Sequence, residues 1–245
     1  FASFQGGMGE LSDALAKEVS AAAIRTGAAV SQLIPDGAGY RLRLDDGGEL
    51  SAQGVVLATP APETAAILSP VLSQAAAAVA GIGQVATATV TLGYRADDIP
   101  NLTGSGFVVP TAQKRKIMGV SYLSRKWAGR VPDSRFELLR AFVGGTNGQE
   151  LALAEEDRLV AVVRGELEAL VGITATPVLT RTFSWRRALH QYTLGHLDRV
   201  ARAEAHLAPG LALAGAAFHG IGLNECVESG RRAADRVLAT VPQVA

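Results

Sequence analysis

AGAAFHGIGLNECVESGRRAADRVLATV, residues 214–241, reads as the end of a strand, a glycine-rich turn and then a helix. The apolar run at 211–214 is the strand, and small residues follow at Gly215, Ala216 and Ala217. Gly220 and Gly222 mark the turn, where the chain takes positive φ or approaches a ligand with no side chain between. A helix starting between Leu223 and Glu225 points its unpaired N–H groups and the positive end of its dipole into the same space. That geometry suits an electron-rich or anionic group. Strands, glycines and helices also make plain packing turns, so the spacing alone leaves both readings open.

Working outward, residues 10–23 have helical spacing, with Leu11, Leu15 and Val19 four apart. Residues 27–30 look like an inner strand. Residues 40–44 alternate strictly, turn at 45–48 and return through 49–52, which predicts a β-hairpin. Residues 55–59 are a fully buried strand type, stopped by Pro60 and Pro62. The first domain boundary falls there, near residue 60. The middle reads as a mixed α+β domain: a helical alanine-rich run at 63–80, then strands at 85–94, 106–109, 117–122 and 137–143. A long amphipathic helix follows at 151–171, with Glu155, Glu156 and Asp157 where its dipole favours acid. A further strand lies at 177–183. The fold class is α/β plus α+β in two domains, with 61–186 between 1–60 and 187–245.

Composition bounds the function. At 245 residues the chain can bury one large core or two smaller ones. Its 48% hydrophobic content is that of a globular protein, and 23 basic residues balance 23 acidic ones, which argues against a nucleic-acid surface. The single cysteine, Cys226, excludes an internal disulfide and fits a reducing, cytoplasmic compartment. It falls in the first turn of the terminal helix, where a thiol is either activated or simply packed. The most apolar region, 72–92, is broken by Ser73, Gln74, Gln84 and several threonines, so it does not read as a membrane span. Peripheral membrane attachment and homo-oligomerisation stay open. His190, His196, His206 and His219 have no metal-ligand spacing, so no metal is expected. No G-x-S-x-G elbow and no P-loop appear.

QYTLGH at 191–196, ahead of GAAFHGIGLNECVESGRRAA, resembles the C-terminal part of the protoporphyrinogen/coproporphyrinogen oxidases, FAD enzymes of haem synthesis. The opening FASFQGGMGELSDAL resembles that family's F-x-S-x-x-GG entry to a helix. KWAGRVP at 126–132 and LLRAFVGG at 138–145 fall in the expected order between them. The resemblance runs over almost all of the chain and is most specific at its end. Flavoenzymes of this class open with a strand and a G-x-G-x-x-G turn for the cofactor pyrophosphate. Here Gly6, Gly7 and Gly9 precede a helix but follow only a few residues, and the chain starts with Phe1 rather than Met. The expectation is a C-terminal portion of a longer protein, inactive by itself. Residues 1–60 and 187–245 would be part of the FAD domain and 61–186 the substrate domain.

The resemblance also implies particular contacts. Val30 matches a position whose backbone meets the adenine end of FAD, and Ala216 a small residue beside the cofactor. Ile221, Gly222 and Leu223 match the backbone segment at the flavin end. The partners implied are a porphyrinogen (protoporphyrinogen IX or coproporphyrinogen III) and oxygen, with the porphyrin and hydrogen peroxide as products. Aromatisation is strongly downhill, so positioning residues rather than a dedicated base are expected. Trp127 and Trp185 are the candidate substrate aromatics; Arg125, Lys126, Arg186 and Arg187 are candidate carboxylate partners. Two departures bear on substrate preference: His190 stands where the family has proline, and Asn224-Glu225-Cys226 where it shows Pro- or Asn-Asp-Cys. The alternatives are a flavin amine oxidase, a carotenoid desaturase-like enzyme, or a non-catalytic relative.

Overall fold

The computed structural model describes residues 2–240. Phe1, which opens the F-x-S-x-x-GG run, and Val241, which ends the stretch quoted first, lie outside the described residues. In chain order come α1 (Gly9–Glu18), β1 (Val30–Asp36), β2 (Gly39–Leu44), β3 (Glu49–Ala52), β4 (Val55–Leu57), α2 (Ala61–Leu68) and α3 (Ser73–Ala80). Next are β5 (Gln84–Arg95), β6 (Gly106–Val108), β7 (Gly119–Tyr122), α4 (Leu123–Lys126), β8 (Phe136–Gly144), α5 (Gln149–Ala152) and α6 (Glu156–Val171). The chain closes with β9 (Leu179–His190), α7 (His196–Ala205), β10 (Leu211–Leu213) and α8 (Leu223–Leu238).

These elements form two compact units: Phe1–Ile24 with Gln84–Leu189, the sheet unit, and Arg25–Gly83 with His190–Ala245, the turn unit. The divisions fall away from the sequence boundaries near 60 and 187, for physical reasons. Helices α2 and α3 bury Ala61, Leu68, Ala76 and Val79 in one core with Leu33, Leu57 and Val200, so they pack with the segments before them. The opening segment belongs to the sheet unit, where the Arg130 guanidinium donates to Ser3 Oγ (2.6 Å) and to the Phe4 carbonyl (2.8 Å). Strand β9 runs on to His190, so the chain leaves the sheet unit at its end.

The sheet unit is a five-stranded sheet in the order β6-β7-β8-β5-β9. The alternation in β5 sends Ala86, Ala88, Val90, Leu92 and Tyr94 to one face, where Leu139, Ala141 and Val143 of β8 join them. Helix α6 lays Leu159, Val163 and Leu167, four residues apart, on that face. Gly172, at φ +72°, ends α6; its N–H donates to the Glu168 carbonyl (3.0 Å). The single helix expected at 151–171 is two, because Glu155 adopts extended backbone (φ −57°, ψ 150°) and starts α6 anew. The helix expected over 10–23 ends at Glu18. It buries no residue, and without a packed face nothing holds the last turns of a short helix.

The turn unit holds the antiparallel sheet β1-β2-β3 and the parallel pair β10-β4. The hairpin at 40–52 forms as read, with Tyr40 opposite Ala52 and Arg43 opposite Glu49. The strand expected at 27–30 instead begins at Val30. The run at 55–59 is not fully buried: Leu57 faces the core, whereas Val56 is 39% exposed on the other side of β4. The alanine-rich run breaks between α2 and α3 at Pro70, which has no N–H to extend a helix.

Candidate functional site

The site grows from β10. Leu211, Ala212 and Leu213 pair in parallel with Val55, Val56 and Leu57, and the Ala214 N–H donates to the Leu57 carbonyl at 3.0 Å. The chain then leaves the sheet at Gly215, whose φ of +103° is open to glycine alone at little cost. From there to Gly222 it has no ladder, so each polar backbone group needs another partner. Side chains supply several of them. Ser229, buried in the second turn of α8, accepts the Gly215 N–H at 3.1 Å. The Tyr192 hydroxyl donates to the Ala216 carbonyl and accepts from the Gly220 N–H, both at 2.8 Å. His196 Nε2 donates to the Phe218 carbonyl at 2.8 Å, and Phe218 is fully buried. Because a carbonyl only accepts, this contact fixes the Nε2–H tautomer of His196. Its Nδ1 is buried with no partner among the described residues.

QYTLGH is therefore a brace for this turn. Gly195 at φ +77° swings the chain into α7 and sets His196 at the first helical position. The Tyr192 ring then stacks on the imidazole, centroids 3.8 Å apart and planes 14° from parallel. Arg199 donates to Thr193 Oγ1 at 2.6 Å, tying down the intervening loop. Burial pushes the Tyr192 hydroxyl above its ordinary range, although the Gly220 N–H opposes the shift. The spacing Tyr-x-x-x-His ahead of a glycine turn was the signal for this brace; the sequence showed the motif without its purpose.

The two glycines of the turn do different jobs. Gly220 sits at φ +147°, and a Cβ there would lie 2.6 Å from Glu225 Cβ and Cγ. Gly222 has φ −73° and ψ 157°, which any residue adopts, and it is the N-cap of α8 with no side-chain cap. A Cβ at Gly222 would meet only the movable carboxylate of Glu225. The first turn of a sixteen-residue helix thus opens beside small residues, its N–H groups taken by no capping side chain. Ile221 and Leu223 are exposed, at 65% and 56%, with their backbone at the mouth of the turn. Such a cradle fits the edge of a planar, electron-rich cofactor. The Cys226 thiol is half-buried and donates to the Gly220 carbonyl (3.8 Å), a packing role.

Ala216, Ile221, Gly222 and Leu223 are thus brought together. Val30 lies in the same unit, half-buried at the start of β1, where the register with β2 shifts between Val30 and Gln32. Trp127 and Trp185 are in the sheet unit. Trp127 ends α4 half-buried, with the Lys126 ammonium 5.4 Å from its ring centre. Trp185 is 46% exposed on β9 and stacks with Phe183, centroids 6.1 Å apart. Among the cationic candidates, Arg125 is already committed: it forms a 2.7 Å ion pair with Glu137 and also reaches the Leu102 carbonyl. Proximity to KWAGRVP suggested a substrate role for it, but the carboxylate opposite it on β8 takes its charge. Among the described residues no group of three or more His, Cys, Asp or Glu is arranged to hold a metal, and no helix is long and apolar enough to cross a membrane.

The model of a family described as flavin containing amine oxidoreductase matches residues 1–238. A coproporphyrinogen III oxidase of Propionibacterium freudenreichii subsp. freudenreichii is 34% identical over 244 residues, covering 97% of this chain and 45% of the relative. The coproporphyrinogen III oxidase of Bacillus subtilis is 26% identical over 97% of this chain and 51% of its own length. The chain spans about half the length of these curated relatives. Among solved structures, a putative protoporphyrinogen oxidase from Exiguobacterium sp. 255-15 superposes with a TM-score of 0.85 at 29% identity, over 97% of this chain and 52% of that one. Putrescine oxidase shares the fold, with a TM-score of 0.75 at 18% identity over 96% of this chain and 53% of that one. The braced glycine turn lies within the matched span, and the chain belongs to the flavin containing amine oxidoreductase family.

Proposed function

We propose that this chain is part of an FAD-dependent oxidase that converts a porphyrinogen, coproporphyrinogen III or protoporphyrinogen IX, to the porphyrin in haem synthesis. The observation that carries the reading is the braced turn at the N-terminus of α8, in a chain whose relatives bear porphyrinogen oxidase names. Ala216, Gly220 and Gly222 keep side chains out of the approach, and the uncapped N–H groups at Leu223 favour an electron-rich edge. Val30 is assigned to the adenine end of the same cofactor. FAD bound there supplies a two-electron acceptor that dioxygen restores. The tyrosine–histidine brace fixes the turn in the geometry that binds, so little ordering is left to the moment of binding.

Removal of six electrons and six protons in three two-electron rounds gives the aromatic macrocycle, with three dioxygen reduced to three hydrogen peroxide. Because aromatisation drives the reaction, the protein's share is orientation and exclusion of water. Trp127 and Trp185 are assigned to contact the macrocycle. The test is to add each porphyrinogen in air to the full-length protein and record absorbance and fluorescence. A yellow protein that raises porphyrin fluorescence and peroxide above the uncatalysed rate supports the reading. A yellow protein inert to both substrates points to another flavin oxidase, and a colourless one that takes up no added FAD points to a non-catalytic relative.

A further inference from the structure

The geometry points to Arg140 as the residue that anchors a substrate carboxylate on the face of the five-stranded sheet opposite α6; this rests on the porphyrinogen reading above. Strand β8 alternates. Leu139, Ala141 and Val143 enter the core under α6, while Leu138, Arg140 and Phe142 point the other way. Strand register sets the neighbours on that second face. Phe142 lies between Thr89 and Gly119, with Val108 opposite Gly119. One row along, Arg140 lies between Thr91 and Ser121, with Gly106 opposite Ser121. The Phe142 row floors a depression of about 390 Å³ whose walls include Phe107, Met118 and Leu189. On β5, β7 and β6 the Arg140 row is made otherwise of small residues, Thr91, Ser121 and Gly106.

Arg140 differs from three other arginines of this unit that have carboxylate partners. Arg115 pairs with Glu166 at 2.7 Å, Arg125 with Glu137 at 2.7 Å and Arg135 with Asp133 at 2.8 Å. Arg140 is half-buried and donates from Nε to Thr91 Oγ1 at 3.1 Å, yet among the described residues no carboxylate meets it. A partly desolvated cation without a counter-charge is unfavourable, and an incoming carboxylate relieves the penalty while taking two parallel N–H bonds. Thr91, itself buried, holds the side chain in one orientation. The complementary ligand has a flat apolar body for the Phe142 depression and a short acidic arm that reaches one strand row further. A tetrapyrrole carrying propionates has that form.

The test uses full-length, flavin-loaded protein and two porphyrins of one skeleton: coproporphyrin III and its tetramethyl ester, which lacks the carboxylates. Binding is read from porphyrin fluorescence. Arg140→Met is expected to weaken coproporphyrin III about tenfold or more and to leave the ester unchanged. Arg140→Lys should recover part of the loss, since an ammonium keeps the charge but not the fork. Thr91→Val, which keeps the charge and frees the side chain, should give a smaller loss confined to the acid form; it carries the test if Arg140→Met fails to fold. Unchanged coproporphyrin III affinity in Arg140→Met overturns the proposal, as does an equal loss for acid and ester. Wild-type protein that binds neither porphyrin overturns the functional reading itself, and the proposal with it.

Discussion

The two units solve the same problem, satisfying backbone polar groups, by opposite means. In the sheet unit the ladder does it: β5 and β8 keep an unbroken register from Thr87↔Gly144 to Arg95↔Phe136, and α6 covers their apolar face. In the turn unit the parallel pair β4–β10 lasts only from Leu211↔Val55 to Leu213↔Leu57. The glycine turn begins where it stops, and Tyr192, His196 and Ser229 take over from the ladder. A ladder makes a rigid platform, whereas side-chain braces let the backbone take the irregular path that brings glycines and a helix N-terminus together.

That contrast is open to attack from either side, the largest effects coming from the cores. Phe218→Ala should cost the turn unit about 3–5 kcal/mol, and Leu167→Ala should cost the sheet unit about 2–5 kcal/mol. Both tryptophans, Trp127 and Trp185, lie in the sheet unit, so their fluorescence follows that unit's melting. Leu167→Ala should lower the tryptophan midpoint; Phe218→Ala should leave it in place and lower the other transition seen by circular dichroism. If both variants shift both signals equally, the units do not melt separately and the contrast fails.

Tyr192→Phe comes next. It removes a partner from both the Ala216 carbonyl and the Gly220 N–H; because these bonds are exposed, about 0.5–1.5 kcal/mol of turn-unit stability should go with them, along with part of the flavin affinity. Wild-type melting and flavin retention in that variant would show that the brace is ornament.

The smallest effects are in pH. Burial first, and the nearby His196 second, hold the His190 imidazole below its ordinary value of 6.5. The fold therefore favours neutral His190: its contribution is complete above about 6.5 and falls as the pH drops through the folded-state value. Burial raises Tyr192 above 10.0, so its contribution is complete below that pH and is lost as pH rises through the folded-state value. Turn-unit melting should thus decline at both ends, and His190→Gln should flatten the acid side alone. An acid-side slope that is unchanged in His190→Gln would remove His190 from the account.

The sequence was most readable where periodicity recorded packing. The strands expected at 85–94 and 137–143, the hairpin at 40–52 and the closing strand–turn–helix each form within a residue or two of where the sequence placed them. It was less readable where local propensity met a tertiary decision. The helix over 10–23 shortened because no face of it is buried, and Val56 lies exposed although its neighbours are all apolar. In the site, the glycines of the turn were legible as a group but not by role. It is φ and the contacts a Cβ would make that separate Gly220, which must be glycine, from Gly222, which need not be for the backbone's sake. The purpose of QYTLGH was invisible for a similar reason: its contacts reach more than twenty residues along the chain to main-chain atoms, which leave no trace in residue type.

That difference between the glycines supplies the most direct measurement. Gly222 accepts a side chain in its observed backbone conformation, so Gly222→Val in the full-length protein should fold and melt close to wild type. What it removes is the open approach to the N-terminus of α8. Flavin absorbance per protein is the reading. Our account predicts a folded protein that has lost most of its yellow colour, and full flavin occupancy in that variant would contradict the assignment of this turn to the cofactor.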